Sequence, residues 1–338
     1  MNRLVIAVIG ASGTIGRQVV AFLEQWGVEV ARRDTRLEGD EQVDARDAAS
    51  LARALGDAEV CVNCADYRLN LDVMQGCLRA GAHYVDLGGL FHMTRRQLEL
   101  DEVFREAGLT AILGLGSAPG KTNLLARAAV ERLGAPPVAL EIWAASRDPA
   151  AAGHPFPAPY SVQTLLDELR LAPMVVADGE LRETEPLSGV AELAFPDPIG
   201  HATGIYTLHS ELATLPLAYP TLREASFRLS LAPGLIEKLL ALGEGELPEP
   251  YTQSADAVAV HLVEASAGDG RSVTGLTLTR GGSARSTAEP AARGAVELAE
   301  GRLDSPGVAA PESAVRDPEG FLALLATEVR WDRAVAEG

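Results

Sequence analysis

Leu4-Val-Ile-Ala-Val-Ile9-Gly10-Ala11-Ser12-Gly13-Thr14-Ile15-Gly16 decides the fold. Its first six residues are an unbroken apolar run, as in a strand buried on both faces. A glycine turn follows. Beyond it, Ile15, Val19, Val20, Phe22, Leu23 and Trp26 fall on one helical face, and Gly27 supplies the stop. Strand, glycine turn and helix make the first half of a βαβ unit. The glycines let backbone amides approach a pyrophosphate, and the helix N-terminus adds the positive end of its dipole. The loop reads G-x-x-G-x-x-G, one position away from the usual dinucleotide spacing, but its setting between strand and helix is the one that binds a dinucleotide. Gly10, Ser12, Gly13, Thr14, Ile15 and Gly16 are the expected cradle.

The chain has 338 residues, 47% hydrophobic and 22% charged, with a net charge of −18. That length suggests two domains, and the charge argues against nucleic acid or an anionic membrane as partner. No apolar run approaches the roughly 20 residues of a membrane span, and a cytoplasmic location is expected. Cys61, Cys64 and Cys77 are the only cysteines. Cys61 and Cys64 lie three apart at a strand end and point to opposite faces, so buried structural thiols are expected and no metal site. Only two of 29 basic residues are lysines, Lys121 and Lys238.

Downstream of the loop, Val28–Ala31 reads as a second strand, ending in Arg32-Arg33-Asp34. This position faces the adenosine ribose, where an acidic residue binds a 2′-hydroxyl and arginine accommodates a 2′-phosphate. The two guanidiniums tilt the expectation towards NADP, with NAD as the alternative. Helices at Asp47–Leu55, Asn70–Ala80 and Thr94–Ala107 alternate with strands at Glu59–Cys64, His83–Leu87 and Leu109–Leu113. The pattern predicts an α/β, Rossmann-type doubly wound parallel sheet over residues 1–135. Residues 136–285 read as a second, α+β domain with a mixed or antiparallel sheet. It carries strands at Ala139–Ala145, Ile205–Leu208, Ser226–Leu231 and Ser272–Thr279, and helices at Val162–Leu169 and Asp256–Ala265. Residues 286–338 are expected to return to the first domain through a helix at Ala288–Glu300.

Ser117-Ala-Pro-Gly-Lys121-Thr122 imitates a nucleotide-phosphate loop, but Leu115 stands where that motif needs glycine. The loop instead delivers Lys121 to the carboxyl edge of the sheet, where it is expected to hold a carboxylate or phosphate or to carry a proton. A short-chain dehydrogenase would need Tyr-x-x-x-Lys; Ser117 and Gly234 occupy the tyrosine positions.

Several segments together resemble the saccharopine dehydrogenase-like family, near its lysine 6-dehydrogenase-like branch. They are the Gly10–Gly16 loop, Asp57–Asn63 with Asn70–Gly81, His83-Tyr-Val-Asp-Leu87, and Gly116-x-x-Pro-Gly-x-Thr-Asn123. Tyr160-Ser-x-x-Thr-Leu-Leu-Asp-Glu168, Tyr206-Thr-x-His-Ser-Glu211, Gly307-Val-x-x-Pro-Glu312 and Phe321-Leu-x-x-Leu325 continue the likeness. The resemblance implies nicotinamide-dependent redox chemistry at a carbon–nitrogen bond of an amino acid or related small molecule. It also implies a homodimer and a substrate cleft between two domains. A non-catalytic NADP-sensing regulator and a homospermidine synthase-like, cofactor-retaining transferase are the alternatives. Lys121, His209, Tyr206 and Glu211 are the expected catalytic groups, with His209 and Glu211 as a hydrogen-bonded acid/base pair. Asp34, Asp44, Asn63, Cys64 and Ala65 complete the cofactor-facing set; Tyr160, Asp86 and Asn123 are expected to face the substrate.

Overall fold

The structure is a computed structural model that describes residues 4–243, 247–303 and 305–334. The first stretch runs β1 (Val5–Ile9), α1 (Thr14–Gln25), β2 (Glu29–Arg33), α2 (Ala48–Leu55), β3 (Val60–Asn63), α3 (Asn70–Ala80), β4 (His83–Asp86), α4 (Leu90–Leu98), α5 (Asp101–Glu106) and β5 (Thr110–Ile112). Next come α6 (Lys121–Leu133), β6 (Pro137–Arg147), α7 (Val162–Arg170), β7 (Met174–Ala177), β8 (Glu180–Glu183), β9 (Ala191–Ala194), β10 (His201–Tyr206), α8 (Glu211–Ala218), β11 (Glu224–Ser230), α9 (Leu235–Leu240), β12 (Val258–Ala267) and β13 (Ser272–Arg280). They are followed by α10 (Gly282–Ala299), β14 (Gly307–Ala309), α11 (Pro311–Ala314), α12 (Pro318–Ala323) and β15 (Thr327–Ala334).

Two compact units emerge, residues 1–120 with 287–316 and residues 121–286 with 317–338. The division falls at the start of α6, where the sequence placed it at the end of that helix. In the first unit six parallel strands form one sheet in the order β14-β5-β4-β3-β1-β2. Strand β1 lies between β3 and β2, and its apolar run is buried on both faces, as a parallel sheet demands. The core beside it gathers Leu51, Cys61, Met74, Cys77, Tyr84 and Phe104. Each large apolar side chain so buried contributes roughly 1.5–3 kcal/mol. The helix expected over Thr94–Ala107 is two, α4 and α5, separated at Glu99-Leu100.

The second unit is built on a nine-stranded mixed sheet, β15-β13-β12-β6-β11-β10-β9, with β7 and β8 attached through β11. The long β6 lies parallel to β11 and antiparallel to β12. Of Asp256–Ala265, expected as a helix, the residues from Val258 onward belong instead to β12. That strand is central, so both faces of its first four residues are buried and the period-2 signal of a half-exposed strand is lost. Helix α6 packs on the same sheet: a side chain at Gly275 would meet Leu125 within 3.0 Å. Among the described residues no helix is long and apolar enough to cross a membrane.

Candidate functional site

The glycine loop closes tightly on its neighbours. Gly10 has φ +77, and a Cβ there would lie 2.7 Å from the Cys64 carbonyl. A Cβ on Gly16 would lie 2.1 Å from the Gly10 oxygen. The loop is tied to β2 by Gly10 N–H and Ala11 N–H, both donating to the Arg33 carbonyl. Gly13 caps α1 with no side-chain hydrogen bond, and no acidic residue occupies the first turn. The amides and the positive end of the dipole are therefore left for an anion. Beside the loop is a cavity of about 310 Å³, lined by Gly10, Gly13, Asp34, Asp44, Cys64 and Ala65 among others. Glycine cradle, uncapped helix start and cavity fit a dinucleotide. Ser12, Thr14, Ile15 and Gly16 shape the turn without lining that cavity.

At the ribose end the arginines differ from the sequence reading. Strand β2 extends through Arg33, two residues beyond the expected end, so the turn begins at Asp34. Arg32 pairs with Glu24 at 2.5 Å, both side chains half-exposed. Arg33 donates through Nε to the Ala54 carbonyl at 3.0 Å. Neither lines the cavity; Arg36 and Arg46 do. Asp34 is buried, accepting from Ser12 N–H at 2.9 Å and pairing with Arg36 at 3.1 Å. Burial would raise its carboxyl, but the hydrogen bonds from Arg36 and Ser12 and the Arg36 charge prevail and hold it below the usual range. Asp44 accepts from Arg46 N–H at 3.0 Å on the same wall.

The ends of β3 and β4 hold a buried polar network. Asn63 donates to Asn70 at 2.9 Å and accepts from Ala65 N–H at 3.1 Å, so it fixes the backbone at Ala65. Asp86, expected at the substrate, is fully buried. Its Oδ1 accepts from the amides of Gly88 and Gly114, and its Oδ2 from Tyr84, Gln97 and Asn70. A carboxylate offers about four lone-pair sites, so these five donors leave no place for a ligand. Asp86 organises the loops instead. Burial raises its carboxyl, and the donors from Gln97, Gly114, Gly88 and Tyr84 oppose that rise. Cys61 and Cys77 share a buried hydrogen bond, and burial pushes the Cys64 thiol up, as inert thiols require.

In the second unit His209 sits between β10 and α8. Its ring stacks on Phe227 with centroids 3.7 Å apart. Nδ1 lies 3.2 Å from Glu211 Oε2, and Nε2 lies 3.5 Å from Glu168 Oε1. The Tyr160 hydroxyl donates to Glu168 Oε2 at 2.6 Å, and the Thr122 hydroxyl to Glu211 Oε1 at 2.7 Å. Burial alone would depress the imidazole, yet the charges of Glu211 and Glu168 outweigh it and raise His209 above its ordinary value. Burial drives Glu168 up to about 7, against the pull of His209 and Tyr160. This is the strongest constellation of perturbed acid and base groups in the unit.

Three expected partners lie elsewhere. Phe227 and Arg228 are consecutive on β11 and so face opposite sides of the sheet. Phe227 backs His209, whereas Arg228 lies over the Tyr206 ring at 4.5 Å and donates to its hydroxyl at 3.1 Å. Tyr206 therefore does not join His209. Lys121 is 1% exposed, so a bound substrate would not reach it. Its ammonium donates to Thr279 at 2.6 Å and to Ser286, and lies 3.5 Å from Thr327. Asn123 is equally buried and donates to Thr214 at 3.4 Å, which again leaves no ligand face.

Glu168, Thr122, Arg36 and Arg46 were missed as site residues. Glu168 lies in the Tyr160–Glu168 segment on amphipathic α7, and its membership of that family-like segment was the available signal. Arg36 follows Asp34 by two residues and needed only the correct end of β2. Thr122 was marked only as the threonine of the Gly116–Asn123 segment, at the start of α6.

The family model "Saccharopine dehydrogenase NADP binding domain" matches residues 6–112. The carboxyaminopropylagmatine dehydrogenase of Synechocystis sp. is 24% identical over 260 residues, 74% of this chain. The chain spans 64% of that relative's length. A solved structure of saccharopine dehydrogenase (L-Glu forming) from Saccharomyces cerevisiae superposes with a TM-score of 0.68 at 14% identity. The match covers 98% of this chain and 100% of that one and shows a common fold.

Proposed function

We propose that this saccharopine dehydrogenase-like chain is an NAD(P)-dependent oxidoreductase acting on a C–N bond, amine or imine, of an amino acid or related small molecule. The observation that carries the reading is the glycine loop and its cavity, lying within the stretch that matches an NADP-binding domain. When bound, the nicotinamide exchanges a hydride with the carbon of that bond. The amides of Thr14, Ile15 and Gly16 in the uncapped first turn of α1 hold the pyrophosphate, and Asn63 and Asp86 keep the sheet edge rigid around it. Such rigidity matters because orientation supplies much of the rate of a hydride transfer.

The reaction also needs a group that gives or takes a proton at nitrogen. In this reading the half-buried Tyr160 hydroxyl meets that nitrogen and the buried His209 behind it holds the proton, with Glu211 setting its tautomer and Glu168 its charge. A carboxyl-bearing amine is the favoured substrate class, since both named relatives act on molecules of that kind by their names. NADP is favoured over NAD because Arg36 and Arg46 line the cavity and offer cations to a 2′-phosphate. A cytoplasmic homodimer belongs to the same proposal.

The test is a panel of amino acids, polyamines and 2-oxo acids with both cofactors, followed at the nicotinamide absorbance. A substrate-dependent change is expected. Tight cofactor binding with no turnover of any amine or imine would favour the non-catalytic regulator.

A further inference from the structure

The groups around His209 form a line as well as a cluster. In sequence along it stand the Tyr160 hydroxyl, the two oxygens of Glu168, the two ring nitrogens of His209, the two oxygens of Glu211 and the Thr122 hydroxyl. The successive separations are 2.6, 3.5, 3.2 and 2.7 Å. Each residue comes from a different place in the fold: the end of the proline-rich segment, α7, the turn before α8, α8 itself and α6. Four of the five are at most 4% exposed; Tyr160 is half-buried. Only the junction between His209 Nε2 and Glu168 lacks a hydrogen bond, and a shift of roughly 0.5 Å would bring it into range.

We propose that Tyr160, Glu168, His209 and Glu211 form a continuous proton-conducting line in the second unit, with Tyr160 as its outer end, Glu211, held by the Thr122 hydroxyl, as its inner end, and Glu168 as the residue that sets the charge of His209. Two carboxylates flank one imidazole in a dry site. Both carboxylates ionised beside a neutral imidazole would leave two uncompensated negative charges, which is costly away from water. The favourable arrangement adds one proton, shared between Glu168 and His209. A proton arriving at the Tyr160 oxygen releases the hydroxyl proton to Glu168 Oε2. The proton on Oε1 then passes to His209 Nε2, and the Nδ1 proton passes to Glu211. Every donor is reprotonated by its outer neighbour, so one proton moves inwards and rests on Glu211, and Glu168 and His209 each end with their proton on the opposite atom. Other charged groups bear on the line: Lys121 of α6, Asp167 of α7 and His261 of β12. Burial holds His261 well below its ordinary value, and the charges of Lys121 and His209 lower it further, so it stays neutral and does not compete.

This inference rests on His209 being the proton-carrying group, but its test needs no substrate. The full chain labelled with ¹⁵N-histidine is titrated by NMR, with His209 assigned through His209→Gln. His209 is expected to titrate above an unhindered histidine in the wild type. In Glu168→Gln its proton affinity should fall at least tenfold, and in Tyr160→Phe it should shift detectably with the fold intact. If Glu168→Gln does not fold, Tyr160→Phe and Glu168→Asp carry the same comparison. A His209 titration that is unmoved by folded variants overturns the line. If the NMR shifts appear and no amine is turned over, the reaction reading fails while the line stands. Given a substrate, Tyr160→Phe should lower kcat with KM unchanged and displace the pH profile. A loss of thermal stability with the pH profile unmoved would mean a structural role only, and would also overturn the proposal.

Discussion

Replacing Gly16 by alanine isolates the role of the glycine loop. The position is helical, so alanine carries no dihedral penalty there and gains about 1 kcal/mol of helix propensity. Sterics decide the outcome. The new Cβ would lie 2.1 Å from the Gly10 oxygen, 2.9 Å from its carbonyl carbon and 3.0 Å from Ala11 Cα. These are backbone atoms that cannot rotate away. Carbon contacts begin near 3.5 Å, so the loop must move by roughly 1 Å. Overpacking of this kind costs about 1–3 kcal/mol, which leaves a net destabilisation of up to about 2 kcal/mol. The displaced amides would also miss the pyrophosphate. Each charge-assisted hydrogen bond is worth about 1.5–3 kcal/mol, so cofactor affinity should fall at least tenfold. The assay is a fluorescence titration with NADPH alongside thermal unfolding. Gly27→Ala serves as control: its φ is +78 and nothing lies within 4 Å of the added atom. It should cost about 1–2 kcal/mol of stability and leave affinity unchanged. Equal cofactor affinity in wild type and Gly16→Ala would refute the reasoning.

Two more predictions concern charge. Arg36→Ala should reduce the preference for NADPH over NADH, whereas Arg33→Ala should not; competitive titrations of both variants decide it, and the reverse ranking would restore the Arg32-Arg33 reading. Stability should fall as pH rises through neutrality. The Glu168 carboxyl, raised from 4.5 to about 7, favours the folded state while protonated, and that contribution is lost between those values. It amounts to roughly 3 kcal/mol at most. His209, also raised, acts in the same direction, since its stabilisation is complete below 6.5 and lost above. His261, lowered, opposes both below 6.5. Urea unfolding between pH 5 and 8 should show a flatter profile in Glu168→Gln, and identical slopes would count against the buried cluster.

The parts legible in the sequence were those whose physics is local. The Leu4–Ile9 run, the glycine turn and the α1 face lie within one βα unit, and the first sheet followed from their repetition. The paired His209 and Glu211 were also visible, being two residues apart. The second unit was harder to read because its strands pair over long separations. β12 passed for a helix once both its faces were buried. Lys121 looked exposed at a helix start, but hydroxyls of Thr279, Ser286 and Thr327, more than 150 positions later, enclose it. Glu168 resembles any polar residue of an amphipathic helix until the fold brings it beside His209. The ribose-facing arginine was misplaced by a strand two residues longer than its apolar pattern.

The most direct measurement follows the hydride itself. The protein is incubated with NADPH deuterated at the transferable C4 position and with mixtures of amines and 2-oxo acids, and the products are read by mass spectrometry. The account predicts deuterium on the carbon bonded to nitrogen in a new secondary or primary amine. Deuterium retained on the cofactor, or delivered only to a carbon bearing oxygen, would contradict it.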